Sequence, residues 1–409
     1  MNCSIFSLSL NHISLSPFSS TNTRYLFKST ISNCFSTAFL LQSSIKAMFI
    51  GCSFNNFLRA PIKSERAEYS KDLYKNPISE KDTYLSATSC FFVNCTNDAQ
   101  SGGAISCINP LDSFNMTLCE FYKCFSESSG GAVFIHQSSF TSIGYSCFHL
   151  CKSSGYGQTF SVSAITKKWK PLSVYLCSIS QSENEKSKYV FVASNGRQYF
   201  DNCNVSFSKL ETGTGFVSHS PSNLSVSYFL FYQNKGASVF VRKELPVTAE
   251  LYKMCSFANN NALKEELFHV QCYAQADSFV FYSNKFSLFA TVTSDSHFNM
   301  HECLFDFSDQ ILLSRTGAEY TDVLHEDCIF RKEDLFPFFT KTYIPELCIH
   351  VPITQLFTPL APIRAAISSL NERFKNPHVF GAIVAVLTIT IICVFLLYRK
   401  AILGRTHRR

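Results

Sequence analysis

The sequence predicts an all-β fold class, a right-handed parallel β-helix solenoid with one C-terminal transmembrane α-helix. Three observations predict it. A residue pattern recurs ten times at an almost constant step, the composition is rich in Phe with no amphipathic helix across the repeats, and one run of 20 residues near the C-terminus carries no charge.

The recurring pattern is Cys, Phe or Ser, any residue, an apolar residue, two free positions, then a small polar residue or Cys. It occurs as Cys90-Phe92-Cys95, Cys119-Phe121-Cys124, Ser146-Phe148-Cys151, Cys177-Ile179-Ser182, Cys203-Val205-Ser208, Phe229-Phe231-Asn234, Cys255-Phe257-Asn260, Phe279-Phe281-Asn284 and Cys303-Phe305-Ser308, and Cys328-Phe330 opens one more. The first positions are separated by steps of 29, 27, 31, 26, 26, 26, 24, 24 and 25. So even a period marks a solenoid. The first and third positions are two apart, so on a strand they share a face, which we place inward. The next mark comes three positions later, which breaks the alternation and suits a corner. GGAVFIH (130–136) and GTGFVSH (213–219) supply a second strand after a small-residue turn. One coil cannot bury its own apolar stripe, whereas coils stacked about 4.8 Å apart bring Phe over Phe and Asn over Asn. That accounts for 41 Phe among 409 residues. A β-sandwich also has many short strands, but nothing in it keeps the same residue types at a constant period.

Along the chain, residues 1–60 read as weak N-terminal coils or a cap, in which Cys52-Phe54-Phe57 fits one coil and Cys34 and Phe35 mark a fainter one. Residues 61–82 are a charged loop inserted where the step from Cys52 to Cys90 widens to 38. Residues 84–334 are the β-helix repeats. Residues 335–378 hold six of the 13 prolines and read as a cap and semi-rigid stalk, with a short amphipathic helix at Ile363 to Lys375. Residues 379–398 are the transmembrane helix and 399–409 a basic cytoplasmic tail.

The run Val379 to Tyr398 reaches about 30 Å as a helix, enough for a bilayer core, and it ends abruptly in Arg399 and Lys400. The basic flank should stay cytoplasmic, which puts residues 1–378 outside the cytosol as a single-pass protein, in the plasma membrane on this reading. The first twenty residues show neither the basic n-region nor the uninterrupted apolar h-region of a signal peptide. A late start, an atypical signal and a tail anchor that leaves the body in the cytosol all stay open. Lys plus Arg number 36 against 30 Asp plus Glu, and five of the basic residues lie in the last eleven positions, so residues 1–378 carry 31 against 30. A near-neutral body lacks the basic footprint that nucleic-acid binding needs.

Two GGA motifs, Gly102-Gly103-Ala104-Ile105 and Gly130-Gly131-Ala132-Val133, stand beside the Phe-x-x-Asn elements Phe91 to Asn94, Phe231 to Asn234, Phe257 to Asn260 and Phe281 to Asn284. Together they resemble the GGAI and FxxN repeats of polymorphic outer membrane proteins, and the Pmp-like β-helix surface proteins of trichomonads. The resemblance covers roughly 84–330 and implies the fold and a surface placement. The chain departs from the bacterial family in ending with a helix instead of a translocating β-barrel, which looks like the eukaryotic membrane-anchored version.

Parallel β-helices often carry polysaccharide lyases and hydrolases, which need carboxylates converging from adjacent coils. The 12 Asp are scattered, with Asp306, Asp309 and Asp327 the nearest to a group, beside Arg315 and Arg331. His297 and His301 have a metal spacing only on a helix, and this segment leads into a strand. The Cys-x4-Cys pairs Cys90/Cys95 and Cys119/Cys124 hold a Phe in each interval, which favours interior packing over a thiolate metal site. No catalytic residue, cofactor or metal is therefore expected. Equivalent cysteines on neighbouring coils lie close enough for disulfides. Cys90, Cys95, Cys119, Cys124, Cys147, Cys151, Cys177 and Cys203 thus form either a disulfide ladder or a core ladder of reduced thiols. The sequons at Asn2, Asn94, Asn115, Asn204 and Asn223 would be glycosylated in a lumenal body, with Asn94 a corner residue that packing could shield.

The functional expectation is adhesion or ligand display at the cell surface. Its partners are a membrane and an extracellular protein or glycan, and the loop at 61–82 contributes specificity. The alternatives are a membrane-tethered polysaccharide lyase or hydrolase on the same fold and a tail-anchored intracellular scaffold.

Overall fold

The computed structural model describes residues 3–6, 9–11, 18–19, 23–41, 46–64, 83–164, 170–182, 189–210, 214–235, 239–242, 250–271, 273–292, 296–314 and 323–330. All of them belong to one unit, Met1–Val351; a second, Pro352–Arg409, lies outside the described residues.

The described chain is a parallel β-solenoid built from three sheets of 13, 14 and 11 strands. Each coil visits the sheets in turn. Tyr84–Thr88 enters the first, Phe91–Asn97 the second and Ile105–Cys107 the third, and Ser113–Thr117, Glu120–Tyr122 and Val133–Ser138 repeat the circuit one layer on. The register stacks like on like: Leu85 on Phe114, Phe92 on Phe121, Ile105 on Val133. The first-sheet strand is the element that the recurring pattern omits. Its inward residues alternate just upstream of each marked position, as Leu85 and Ala87 do before Cys90 and Phe114 and Met116 before Cys119.

Each coil bends at two corners through a residue in the left-handed region. Ser89, Leu118, Leu176, Asn202 and Met254, with φ of 50–57°, precede Cys90, Cys119, Cys177, Cys203 and Cys255. Asn94, Lys123, Leu150, Gln233 and Asn259, with φ of 50–56°, precede Cys95, Cys124, Cys151, Asn234 and Asn260. A non-glycine residue there costs roughly 1–2 kcal/mol. Inter-coil hydrogen bonds hold it, as from Leu176 N–H to the Asp201 carbonyl and from Asn259 N–H to Tyr282, both 2.9 Å. The three-position spacing therefore is a corner, with the bend placed on the residue just before the buried one.

The interior keeps its volume by moving aromatic rings between walls. Phe54, Phe92, Phe121 and Phe148 of the second sheet stack with ring centres 5.0, 4.7 and 4.8 Å apart. The next two rungs are Ile179 and Val205, and there the third sheet supplies Phe160, Phe191 and Phe216, 5.0 and 4.7 Å apart. In the coils before, that third-sheet position holds Ile105 and Val133. Phe231, Phe257, Phe281, Phe305 and Phe330 then resume the second-sheet stack at 4.9, 5.3, 4.8 and 4.8 Å. A close-packed interior demands this compensation, since a missing ring leaves a void.

The GGA motifs open the third wall. Gly130 turns with φ of 64°, and a Cβ on Gly131 would lie 2.0 Å from the Gln158 carbonyl oxygen and 2.3 Å from that of Lys152. Only glycine admits backbones that close. In these coils the short strands Phe125–Ser126 and Lys152–Ser153 continue from the end of Phe91–Asn97 as a small branch of the second sheet, counted among its 14 strands.

At the N-terminal end the first sheet runs back to Cys3–Phe6, so described strands of all three sheets stack on ahead of the repeats that the pattern marks. In the faint coil Cys34 is buried, in register with Phe57. Phe35, however, is 65% exposed, because the residue after the buried corner position points outward. The inserted loop begins later than residue 61, since Ile62–Ser64 pairs with Ile105–Cys107 in the third sheet; residues 65–82 lie outside the described residues. Near the other end a helix, Asp309–Ser314, follows Leu304–Phe305, and Val323–Glu326 adds the last first-sheet strand. Among the described residues no helix is long and apolar enough to cross a membrane. The segments 335–378, 379–398 and 399–409 lie outside them.

Candidate functional site

The three outer faces differ in accessibility. On the second sheet one outward column is covered in the middle coils, with Cys147, Ser178, Asn204 and Ser256 each at most 2% exposed, whereas Phe91 in the same column is 38% exposed. On the third sheet Ser106 and Val217 are likewise buried. The first sheet is open. Its outward residues include Tyr84, Tyr199 and Tyr273, exposed by 37, 38 and 44%. One outward column reads Ser86, Asn115, Ser142, Ser173, Tyr199 and Ser225 in successive coils. Because strands stack about 4.8 Å apart, this places hydroxyls and an amide at a regular spacing beside aromatic rings.

Local contacts orient the face. Lys46 Nζ sits 5.0 Å from the centre of the Tyr84 ring, and Asn115 Nδ2 donates to Ser113 Oγ at 3.2 Å. Ser227 Oγ donates to Asp201 Oδ1 at 2.7 Å, and Asn299 Nδ2 to the Tyr273 hydroxyl at 3.1 Å. Such an array can hydrogen-bond an extended polar chain and offer tyrosine rings to stack on.

The predicted sequons divide. Asn115 is exposed and Asn223 partly exposed on this open face. Asn94 is exposed as well: its left-handed corner turns the side chain outward, where Nδ2 donates to Asn56 Oδ1 at 3.1 Å, so packing does not shield it. Asn204 is corrected. It is fully buried within Asn204–Ser206, and neither side-chain polar atom has a hydrogen-bond partner, so the folded chain offers it to no transferase. Asn2 lies outside the described residues.

The cysteines occupy two stacks at opposite ends of the second-sheet strand. Cys90, Cys119, Cys177 and Cys203 line the corner entering it, and Cys95, Cys124 and Cys151 the corner leaving it; all seven are buried free thiols. Each donates to two carbonyls, one two residues earlier and one in the preceding coil, as Cys119 does to Thr117 at 3.5 Å and Ala87 at 3.4 Å. Cys147 does not belong to either stack, contrary to the expectation from sequence. The register pairs it with Glu120 and Ser178 on the outward side of the second sheet, while Ser146 fills the rung, and Cys147 is disulfide-bonded. Gly102, Gly103 and Ala104 stack on Gly130, Gly131 and Ala132, with Gly103 N–H donating to Gly131 at 3.1 Å and Ala104 N–H to Ala132 at 2.9 Å. They shape the wall and carry no reactive group.

Asp306 and Asp327 are not brought together. Asp306 follows the second-sheet strand and accepts the Ser283 N–H, and burial raises its pKa. Asp327 precedes the same sheet one coil on, 84% exposed, 3.7 Å from His301 Nε2. Asp309 starts the short helix, and its carboxylate accepts the Gln310 N–H at 2.7 Å. Arg315 and Arg331 lie outside the described residues. His297 and His301 fall on one strand of the open face, His297 packing on the Tyr273 ring at 5.4 Å. Among the described residues no group of three or more His, Cys, Asp or Glu is placed to hold a metal.

The recurring sequence pattern does not reveal the first-sheet face. Its signal is present as alternation, for example Leu172-x-Val174 and Leu224-x-Val226, with polar residues between and the marked position three further on. The arrangement defines a parallel β-solenoid whose first-sheet flank is open among the described residues. No protein family, curated protein or solved structure matches the chain.

Proposed function

We propose that the chain is a membrane-anchored cell-surface protein whose right-handed β-helix binds or displays extracellular ligands without catalysis. The open first-sheet face carries this reading: regularly spaced hydroxyls and amides with exposed Tyr84, Tyr199 and Tyr273 suit a glycan or an extended protein segment. The uncharged run at 379–398 supports a single-pass helix with the body outside and the C-terminus in the cytoplasm. Exposed Asn94 and Asn115 suit a glycoprotein, and the GGA and Phe-x-x-Asn motifs support a Pmp-like surface role.

The test is to tag the full chain near residue 70 and compare antibody staining of intact and permeabilised cells, together with sensitivity to peptide N-glycosidase. Surface staining with a glycosidase shift, lost in the combined Asn94→Gln, Asn115→Gln and Asn223→Gln variant, is the expected result. Staining only after permeabilisation, without a shift, overturns the surface placement. Binding of the full chain to arrayed glycans and matrix proteins should fall at least tenfold in Tyr84→Ala/Tyr199→Ala, a loss of about 1.4 kcal/mol or more. An unchanged profile removes the open face as the site.

A further inference from the structure

The stack of small residues at the corner entering the second sheet ends in a pair unlike the rest. Cys90, Cys119, Cys177, Cys203, Cys255 and Cys303 are buried, whereas Cys328, the last rung, is alone among the described free thiols in being partly exposed. Leu304 bridges Ile329 in parallel, Ile329 N–H donates to the Cys303 carbonyl at 2.9 Å and Phe305 N–H to Ile329 at 2.9 Å, so Cys303 and Cys328 are register partners. Neighbouring rungs stand about 4.8 Å apart at Cα, within the span that a disulfide accepts. The two thiols also point the same way. Cys303 Sγ donates to the His301 carbonyl at 3.4 Å and Ala276 at 3.6 Å, and Cys328 Sγ to Glu326 at 3.4 Å and Met300 at 3.7 Å.

We propose that Cys303 and Cys328 form a peroxide-reactive pair, in which Cys328 meets the oxidant as the partly exposed member and Cys303 closes the disulfide. The Cys328 thiolate attacks one oxygen of a hydroperoxide. The S–O bond forms, the O–O bond breaks, and the departing hydroxide or alkoxide is protonated by the equivalent of the proton that the Cys328 thiol released on ionising. Cys303 then attacks the sulfenic sulfur: the S–S bond forms, the S–O bond breaks, and hydroxide leaves with the Cys303 proton as water. Two thiols are oxidised by two electrons and one peroxide is reduced.

Electrostatics support this order. The hydrogen bond from the Cys303 thiol holds the Cys328 thiol down to about 7; burial opposes it, the Cys303 backbone and the His301 imidazole add to it, and Asp327 opposes it. The same hydrogen bond, with burial, raises Cys303, so it keeps its proton until Cys328 is oxidised. The other charged or titratable groups at this corner are Asp277 and Glu326, the register partners of His301 on either side, with Glu302 and His325, the last packed against Phe330 at 5.4 Å. Deeper rungs such as Cys90 and Cys119 lack an oxidant's approach, although their spacing is the same.

The test treats the reduced full-length chain in detergent micelles with one equivalent of hydrogen peroxide, alkylates, and maps peptides by mass spectrometry. The expected product is a Cys303–Cys328 cross-link, with Cys90, Cys119 and Cys203 alkylated only after denaturation. Cys303→Ser should leave a dimedone-reactive sulfenic acid on Cys328, and Cys328→Ser should abolish the link. In the unmodified chain, which needs no variant to fold, iodoacetamide should label Cys328 at pH 7 about tenfold faster than an ordinary exposed thiol. Oxidation spread evenly over the buried rungs, no cross-link, or a labelling midpoint near pH 8.5 overturns the proposal.

Discussion

The corner leaving the second sheet is built twice in this molecule, with different chemistry on the same geometry. Between residues 84 and 164 its buried rungs are thiols: Cys95, Cys124 and Cys151 donate to the Phe54, Phe92 and Phe121 carbonyls of the preceding coil at 3.4, 3.5 and 3.7 Å. Between residues 230 and 292 the rungs are amides, Asn234 and Asn260 buried and Asn284 half-buried, which reach the equivalent Val205, Phe231 and Phe257 carbonyls at 2.8, 2.9 and 2.7 Å. The amides do more. Asn260 Oδ1 accepts the Asn234 backbone N–H at 3.0 Å and Asn234 Nδ2 at 3.1 Å, so each rung ties down the one before it. What the corner demands is a compact side chain that donates to the carbonyl below. A thiol meets that demand weakly and otherwise fills space, whereas an amide joins a cooperative ladder.

Alkaline pH should separate the two regions most. Burial raises the thiols of Cys107, Cys124 and Cys151, and a hydrogen bond with Cys119, followed by burial, pushes Cys90 up to about 12. These four lie in the thiol region; the amide region contains Cys255, pushed by burial up to about 12. Each folded pKa lies above the unfolded one of ~8.5. Below ~8.5 both states keep the proton and stability is intact. As pH rises further the unfolded chain ionises first, and stability falls by about 1.4 kcal/mol per pH unit for each such thiol until its folded pKa is reached. Urea midpoints under reductant should stay level to about pH 8 and then drop steeply. Proteolysis at pH 10 should cut 84–164 before 230–292; cutting in the opposite order breaks the comparison.

The next effect belongs to the amide region. Asn260→Ala removes the donor to Phe231 and the acceptor for Asn234, leaving buried polar groups unpaired, which should cost roughly 2–4 kcal/mol. Because a solenoid couples mainly nearest neighbours, faster amide hydrogen exchange should appear at 231–284 and leave 91–151 unchanged. A loss below about 1 kcal/mol with exchange unaltered would mean that the ladder is ornament to a corner held by its backbone.

Much of this architecture is legible in the amino-acid sequence. The period sets the stacking direction, and Phe92, Phe121, Phe257 and Phe281 fall inward because positions two apart on a strand share a face. The first-sheet strands stay hidden because inward residues as unlike as Ala87, Ile143, Gln198 and Phe200 share only their burial. Cys147 and Asn204 depart from expectation for a different reason. A Cys one residue off the rung and an Asn within a sequon look alike whichever face the register gives them, and register is a property of neighbouring coils. The covered part of the second-sheet flank leaves little mark in the sequence: Ser178, Ser180 and Ser206 have the composition of a solvent face and are buried.

The smallest expected effect is also the most discriminating. Cys124→Ala removes one sulfur from a fully buried site and a weak bond to the Phe92 carbonyl, which should cost about 1 kcal/mol. Cys124→Asn asks whether the choice between thiol and amide belongs to the rung or to its surroundings. Asn234 sits above Ser208 and still accepts that residue's backbone N–H at 3.0 Å, so an amide does not need an amide beneath it. Placed at 124, an amide should donate to Phe92 and accept from the Cys95 N–H in the same manner, with the added volume offsetting the gain. The urea midpoint should therefore shift by less than the equivalent of about 1 kcal/mol in either direction. A loss above about 3 kcal/mol would show instead that the coils around Cys124 are spaced for sulfur, and that the two corners differ in backbone as well as in side chain.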